Sequence, residues 1–167
     1  HNTAVGQGAL STDDLGSHTV AVGYGSLASQ NYSTATNSYN TAVGSNAGYA
    51  VTTGVQNVLI GGLAGDALTD ADYNVAVGHA ALSAATTSDG NSAVGYNALA
   101  ATTVGNYNVA MGYGAMISNV NGDRSVGIGV SALAAQAPVS ANTDMYNTAV
   151  GYQAGTAVTT GIQNTLI

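Results

Sequence analysis

Asn57-Val-Leu-Ile-Gly61, Asn74-Val-Ala-Val-Gly78, Asn91-Ser-Ala-Val-Gly95 and Asn108-Val-Ala-Met-Gly112 follow one another at intervals of 17 residues. The same phrase, in its commonest form Asn-Thr-Ala-Val-Gly-x-x-Ala-Leu, runs outward from this block to both ends of the 167-residue chain. Gly6, Gly23, Gly44, Gly129 and Gly151 close five further copies, and a tenth, Asn164-Thr-Leu-Ile167, stops one residue before its glycine. A fixed short period means that each unit buries its apolar face only by stacking on the next. The expected fold is therefore all-β, a parallel β-solenoid (β-roll) of about ten coils with a 17-residue period.

A longer period lies over the short one. Residues 40–60 return at 147–167 with an offset of 107 residues, so six coils make a super-repeat. The two longer spacings, 21 residues after Gly23 and 22 after Gly129, fall at matching places in it. Residues 1–167 thus read as one repeat segment, a window on a longer tandem array.

Within each coil the phrase predicts a β-strand, because β-branched residues alternate and Asn and Gly punctuate its ends. Its two faces differ in bulk. On size alone, the residues just before the glycine (Val5, Val22, Val43, Ile60, Val77) are expected to build the coil's own core. The opposite stripe, Ala4, Ala21, Ala42, Ala76, Ala93, Ala110 and Ala149, is flat enough for another backbone to approach. It is expected to be the oligomer interface of a homotrimer.

Composition narrows the partners. One Arg and no Lys stand against eight Asp, for a net charge of −7, which argues against nucleic acid and anionic membrane surfaces. No apolar run reaches the ~18 residues of a membrane span. With no Cys, there is neither a disulfide framework nor a thiolate metal site.

Several columns follow from the register. Asn40, Asn57, Asn74, Asn91, Asn108 and Asn147 stand four places before the glycine and are expected to form a register ladder, broken at Thr19 and Ser125. Tyr39, Tyr73, Tyr107 and Tyr146 form a column just before the Asn, and Tyr24, Tyr96, Tyr113 and Tyr152 another just after the glycine. The first column is the candidate glycan contact, since tyrosine rings make platforms for sugar faces. The insertions, 30–39 and 135–146, are Ser-, Thr- and Asn-rich and read as display loops. Asn31-Tyr32-Ser33 adds a candidate glycosylation site at Asn31. Thr pairs such as Thr52/Thr53 read as turn residues.

Chemistry is sparse. His1, His18 and His79 are read at different coil positions, and no Ser lies beside a base in the repeat register. The chain reads as a non-enzyme with no catalytic, cofactor-binding or metal residues, and the acidic turns at Asp13/Asp14 and Asp66–Asp72 read as solvated.

The phrase Asn-Thr-Ala-Val-Gly-x-x-Ala-Leu resembles the head repeats of trimeric autotransporter adhesins, whose Asn-Ser-Val-Ala-Ile-Gly-type phrase forms a parallel left-handed β-roll in a homotrimer. It is equally similar to Asn-Thr-Ala-Val-Gly-Tyr-Gln-Ala-Gly repeats of phage tail fibres and large secreted fibre proteins. The likeness covers essentially the whole chain, although the coils are longer than in most adhesin heads. It implies a structural segment of an extracellular fibre or adhesin, at a cell surface or on a virion tail, that associates with itself and touches surface glycans. The alternatives are a phage tail fibre shaft with glycan receptor binding and a purely mechanical secreted filament.

Overall fold

A computed structural model describes residues 1–167. The strands are β1 Thr3–Val5, β2 Gly16–Ser17, β3 Val20–Val22, β4 Thr36–Asn37, β5 Thr41–Val43, β6 Val58–Ile60, β7 Val75–Val77, β8 Ser92–Val94, β9 Val109–Met111, β10 Gly122–Asp123, β11 Val126–Ile128, β12 Thr143–Asp144, β13 Thr148–Val150 and β14 Thr165–Leu166. Ten of them, one per coil, form a single parallel sheet in the order β1-β3-β5-β6-β7-β8-β9-β11-β13-β14. Equivalent residues pair throughout, as in Leu59 with Ala76 and Ala76 with Ala93. The fold is a parallel β-solenoid of about ten turns, with no helix.

The phrase glycine makes this stack possible. All nine lie at φ between 129° and 141°, a region closed to L side chains. From Gly6 to Gly129, a Cβ would also sit 2.6–2.7 Å from the carbonyl carbon of the equivalent glycine in the next coil. Turn geometry and coil-to-coil contact thus demand the same residue.

The two faces of the strand are reversed from the expectation. Ala21, Ala42, Ala76, Ala93, Ala110 and Ala149 are fully buried inside their own coils, so their side chains are not available as an interface. Ala4, in the first coil, is exposed. The residues before the glycine point outward instead, with Val5 at 58% and Met111 at 47% exposure. Space explains the reversal. The coil is so narrow that its interior accepts a small strand residue opposite larger ones supplied by the returning arm, Leu82, Leu99, Met116 and Leu133.

Exceptions obey the same volume rule. Where the strand carries Leu59, the facing arm positions are Gly48 and Gly65, and a Cβ on either would lie 2.7 Å from a Leu59 methyl. The super-repeat copy does likewise with Leu166 and Gly155. Gly127 replaces the strand alanine where Met116 needs room, since a Cβ there would meet its Cγ at 2.8 Å. The core is thus filled by exchange between two columns.

Candidate functional site

A buried polar column runs beside the apolar one. Asn40, Asn57, Asn74, Asn91, Asn108 and Asn147 are all 0–1% exposed. The side-chain oxygen of Asn74 accepts the backbone N–H of Asn91 at 3.0 Å, and that of Asn91 accepts the N–H of Asn108 at 2.9 Å. Each side-chain nitrogen donates across its own coil, from Asn91 to the Gly105 carbonyl at 2.9 Å and from Asn108 to the Gly122 carbonyl at 2.7 Å. One side chain therefore joins successive coils and closes its own.

The breaks at Thr19 and Ser125 are repaired from elsewhere. Gln30 and Gln136, both fully buried, occupy the interior column filled by Val51 and Leu68 in regular coils. Gln30 Nε2 donates to Thr19 Oγ1 at 3.0 Å, and its Oε1 accepts from Asn40 at 2.9 Å. Gln136 repeats this with Ser125 at 3.2 Å and Asn147 at 2.9 Å. The glutamine supplies the amide that the short hydroxyl residue lacks.

The insertions are therefore less free than display loops. Each contributes a two-residue strand that pairs with the corner of the preceding coil, β2 with β4 and β10 with β12. Tyr32 is 6% exposed, and its hydroxyl donates to the Gly54 carbonyl at 2.9 Å. Burial pushes its phenol up to about 12. Asn31 stays exposed, while its sequon neighbour Tyr32 is fixed in the wall. Met145 is fully buried at the base of the second insertion, and its tip is open, with Val139 90% exposed.

A second ladder went unread in the sequence. Asp72 accepts the N–H of Val55, Asp89 that of Asp72, Asn106 that of Asp89 and Asp123 that of Asn106, each at 2.7–2.8 Å. Its signal was an Asp or Asn recurring six places before the glycine. Burial raises the Asp123 carboxyl above its ordinary value, and the same cause raises Asp66, whose Oδ1 is buried without a partner. No group of three or more acidic, His or Cys side chains is placed to hold a metal ion. Thr52, Thr69 and Thr86 form a third ladder, each hydroxyl donating to a carbonyl of the next coil at 3.1–3.2 Å.

No family model, curated protein or solved structure matches this chain. The surface is thus read from its own geometry.

Tyr39, Tyr73, Tyr107 and Tyr146 share one column, one in every second coil, and are 49–58% exposed. His1 and His18 belong to the same column, which corrects the reading that they sit at different positions: each stands five places before its glycine. His1 stacks at 5.3 Å on His18, and His18 at 5.2 Å on Tyr39. Arg124 lies 5.6 Å from the Tyr107 ring centre and pairs with Asp144, which also accepts from Tyr146 at 3.0 Å. On the other flank, His79, Tyr96 and Tyr113 stack at 5.1–5.6 Å. Between these columns lies the outward sheet face, built from Val, Ile, Thr, Ser and Met and carrying no charged side chain.

Proposed function

We propose that this chain is a structural β-solenoid segment of an extracellular fibre or adhesin, giving length, stiffness and surface attachment, and that copies associate through the outward sheet face rather than the alanine stripe. The observation that carries this reading is that face. Val5, Val43, Ile60, Met111 and Val150 present 36–58% of their surface in one uninterrupted plane. At ~4.8 Å per coil the plane is about 43 Å long, and six residues of strand and flank make it ~20 Å wide. That is close to the ~800 Å² each partner contributes to a standard interface, and contiguous apolar patches of such size mark association sites. All eight carboxylates lie off the plane, so the net charge of −7 does not oppose contact there.

Stiffness follows from construction. Backbone ladders, the Asn column and the Asp column all run along the axis, so bending would strain several hydrogen-bond systems together. Three copies would form the homotrimer that the repeat phrase implies. The test is native light scattering: the expected mass is three times 16.3 kDa, reduced to one copy by V77D with an unchanged circular dichroism spectrum. A single-copy mass for the unaltered chain at micromolar concentration would remove self-association from the proposal.

A second reading, a phage tail fibre shaft that contacts receptor glycans, is favoured by the exposed Tyr39, Tyr73, Tyr107 and Tyr146 column. Glycan-array binding that survives replacement of Tyr39, Tyr73 and Tyr107 by Ser would count against that column.

A further inference from the structure

We infer that a notch on the first three coils is a binding site for one neutral pyranose ring, with Tyr24 and Tyr49 as its walls and Gly8 and Gly25 as its floor. This site is separate from the tyrosine column before the Asn. It builds on the reading of an outward-displayed fibre, but does not depend on how copies associate.

The notch has a volume of about 210 Å³ and is lined by Gln7, Gly8, Ser11, Tyr24, Gly25 and Tyr49 among others. That is room for a single sugar ring. Four observations choose the ligand. First, Tyr24 and Tyr49 are 59% and 49% exposed, and Tyr24 has Gln7 and Ser45 as column neighbours, so no ring covers it. Tyr96 and Tyr113, at the same coil position, cover each other. An uncovered ring offers its π-face to the C–H face of a pyranose.

Second, the floor is empty by sequence. The position two after the phrase glycine carries Asn46, Leu63, Ala80, Asn97, Ser131 or Gln153 in six coils and glycine in three, Gly8, Gly25 and Gly114; only Gly8 and Gly25 fall in successive coils, so only there does the bare floor span two coils. A Cβ on Gly8 would meet only Gly25 backbone atoms at 3.9 Å, so a side chain there would occupy the notch without a clash. Gly25 is held bare by its neighbours, since a Cβ there would lie 2.5 Å from the Asn46 side-chain oxygen and 3.3 Å from the Tyr49 ring.

Third, the polar groups are neutral. Gln7 offers an amide and Ser11 a hydroxyl oxygen that can accept, its proton being donated to the Ala28 carbonyl at 3.2 Å, while both phenols can donate to or accept from sugar hydroxyls. Fourth, no cation lines the notch, and the chain is acidic, so sialic and uronic acids lack the partner their carboxylate needs. The ligand is therefore uncharged, and one ring held in an open notch binds with a Kd of the order of millimolar. Repetition along a multi-copy fibre would raise the effective affinity.

The test is an NMR amide-shift titration of the whole chain with the methyl glycosides of glucose, galactose, mannose and N-acetylglucosamine, and with N-acetylneuraminic acid as the charged probe. Saturable shifts confined to the backbone around residues 7–11, 24–28 and 49 are expected for at least one neutral glycoside. Y24S should weaken them fivefold or more. G8N should abolish them while leaving both tyrosines in place, because Asn tolerates the φ of +72° at Gly8 and already stands at this coil position as Asn46 and Asn97. No saturable shift with any neutral glycoside at tens of millimolar would overturn the site, as would shifts undiminished in both Y24S and G8N. Tighter binding of the acidic sugar would overturn its neutral character. Each result is read on soluble sugars, so failure here leaves the self-association test untouched.

Discussion

The regular coils between Gly44 and Gly112 and the two inserted coils after Gly23 and Gly129 solve one problem in different ways. Both must satisfy the backbone polar groups where the strand enters the core. Regular coils use an Asn on the strand itself, which reaches one coil onward and across its own coil. Inserted coils carry Thr19 or Ser125 there and bring in Gln30 or Gln136 from the opposite wall. The difference teaches that the requirement is a buried amide at one point in space, not an Asn at one point in sequence. Each insertion carries its own Gln at its start, Gln30 in 30–39 and Gln136 in 135–146, so the amide arrives with the longer path.

Changing what both kinds of coil share should have the largest effect. Gly95→Ala places a methyl 2.7 Å from the Gly112 carbonyl carbon at a φ of 131°. A loss of at least ~4 kcal/mol is expected, read as a drop in denaturation midpoint and as fast amide exchange in the adjoining coils; a loss below ~1 kcal/mol would mean the stack can shift to admit a side chain. Next comes the ladder. Asn91→Ala leaves the Asn108 N–H and the Gly105 carbonyl unpaired in the core, a loss of ~3 kcal/mol, seen by chemical denaturation and by exchange at Asn108.

A smaller effect tests the comparison most directly. Gln136→Leu, which copies Leu68, should cost ~2 kcal/mol by removing the amide partner of the buried Ser125 hydroxyl and leaving the Asn147 side-chain nitrogen with the Gly161 carbonyl alone. Adding Ser125→Asn should recover most of that, because the introduced amide oxygen could then accept the Asn147 N–H as regular coils do. Failure of the double variant to recover would show that the insertion needs its Gln for more than the amide.

The smallest effect is electrostatic. Burial raises the Asp66 carboxyl above 3.8, so the folded protein holds its proton to higher pH than the unfolded chain. Between the two values stability falls as pH rises, and the penalty is complete above the folded value. Asp66→Asn should therefore raise the melting temperature at pH 7, and the gain should vanish as pH falls to about 3.8. An equal gain at all pH values would assign the effect to packing instead.

The solenoid was legible because the period is a statement about backbone. Gly at 17-residue spacing, strands between Asn and Gly, and the super-repeat are properties of a stack whichever way its side chains point. Facing was not legible from bulk. Reading Val as core and Ala as contact surface followed size, whereas parity would have served better. Asn91 immediately precedes β8, two residues from Ala93, and the period of two puts them on one face, so a buried Asn ladder already commits the alanines inward. The shared column of His1, His18 and Tyr39 was legible too, since each stands five places before its glycine.

By itself, then, the sequence determined the coil, its period, its in-register pairing and the places where it lengthens, because each depends on local backbone preference repeated along the chain. Only the tertiary structure decided which face is inside, that glutamines replace missing asparagines, that the insertions are anchored, and that Tyr24 and Tyr49 line one notch with bare glycine. These depend on how wide the coil is and on which residues of different coils come within contact distance. Both are set by packing across the stack, which no single coil contains.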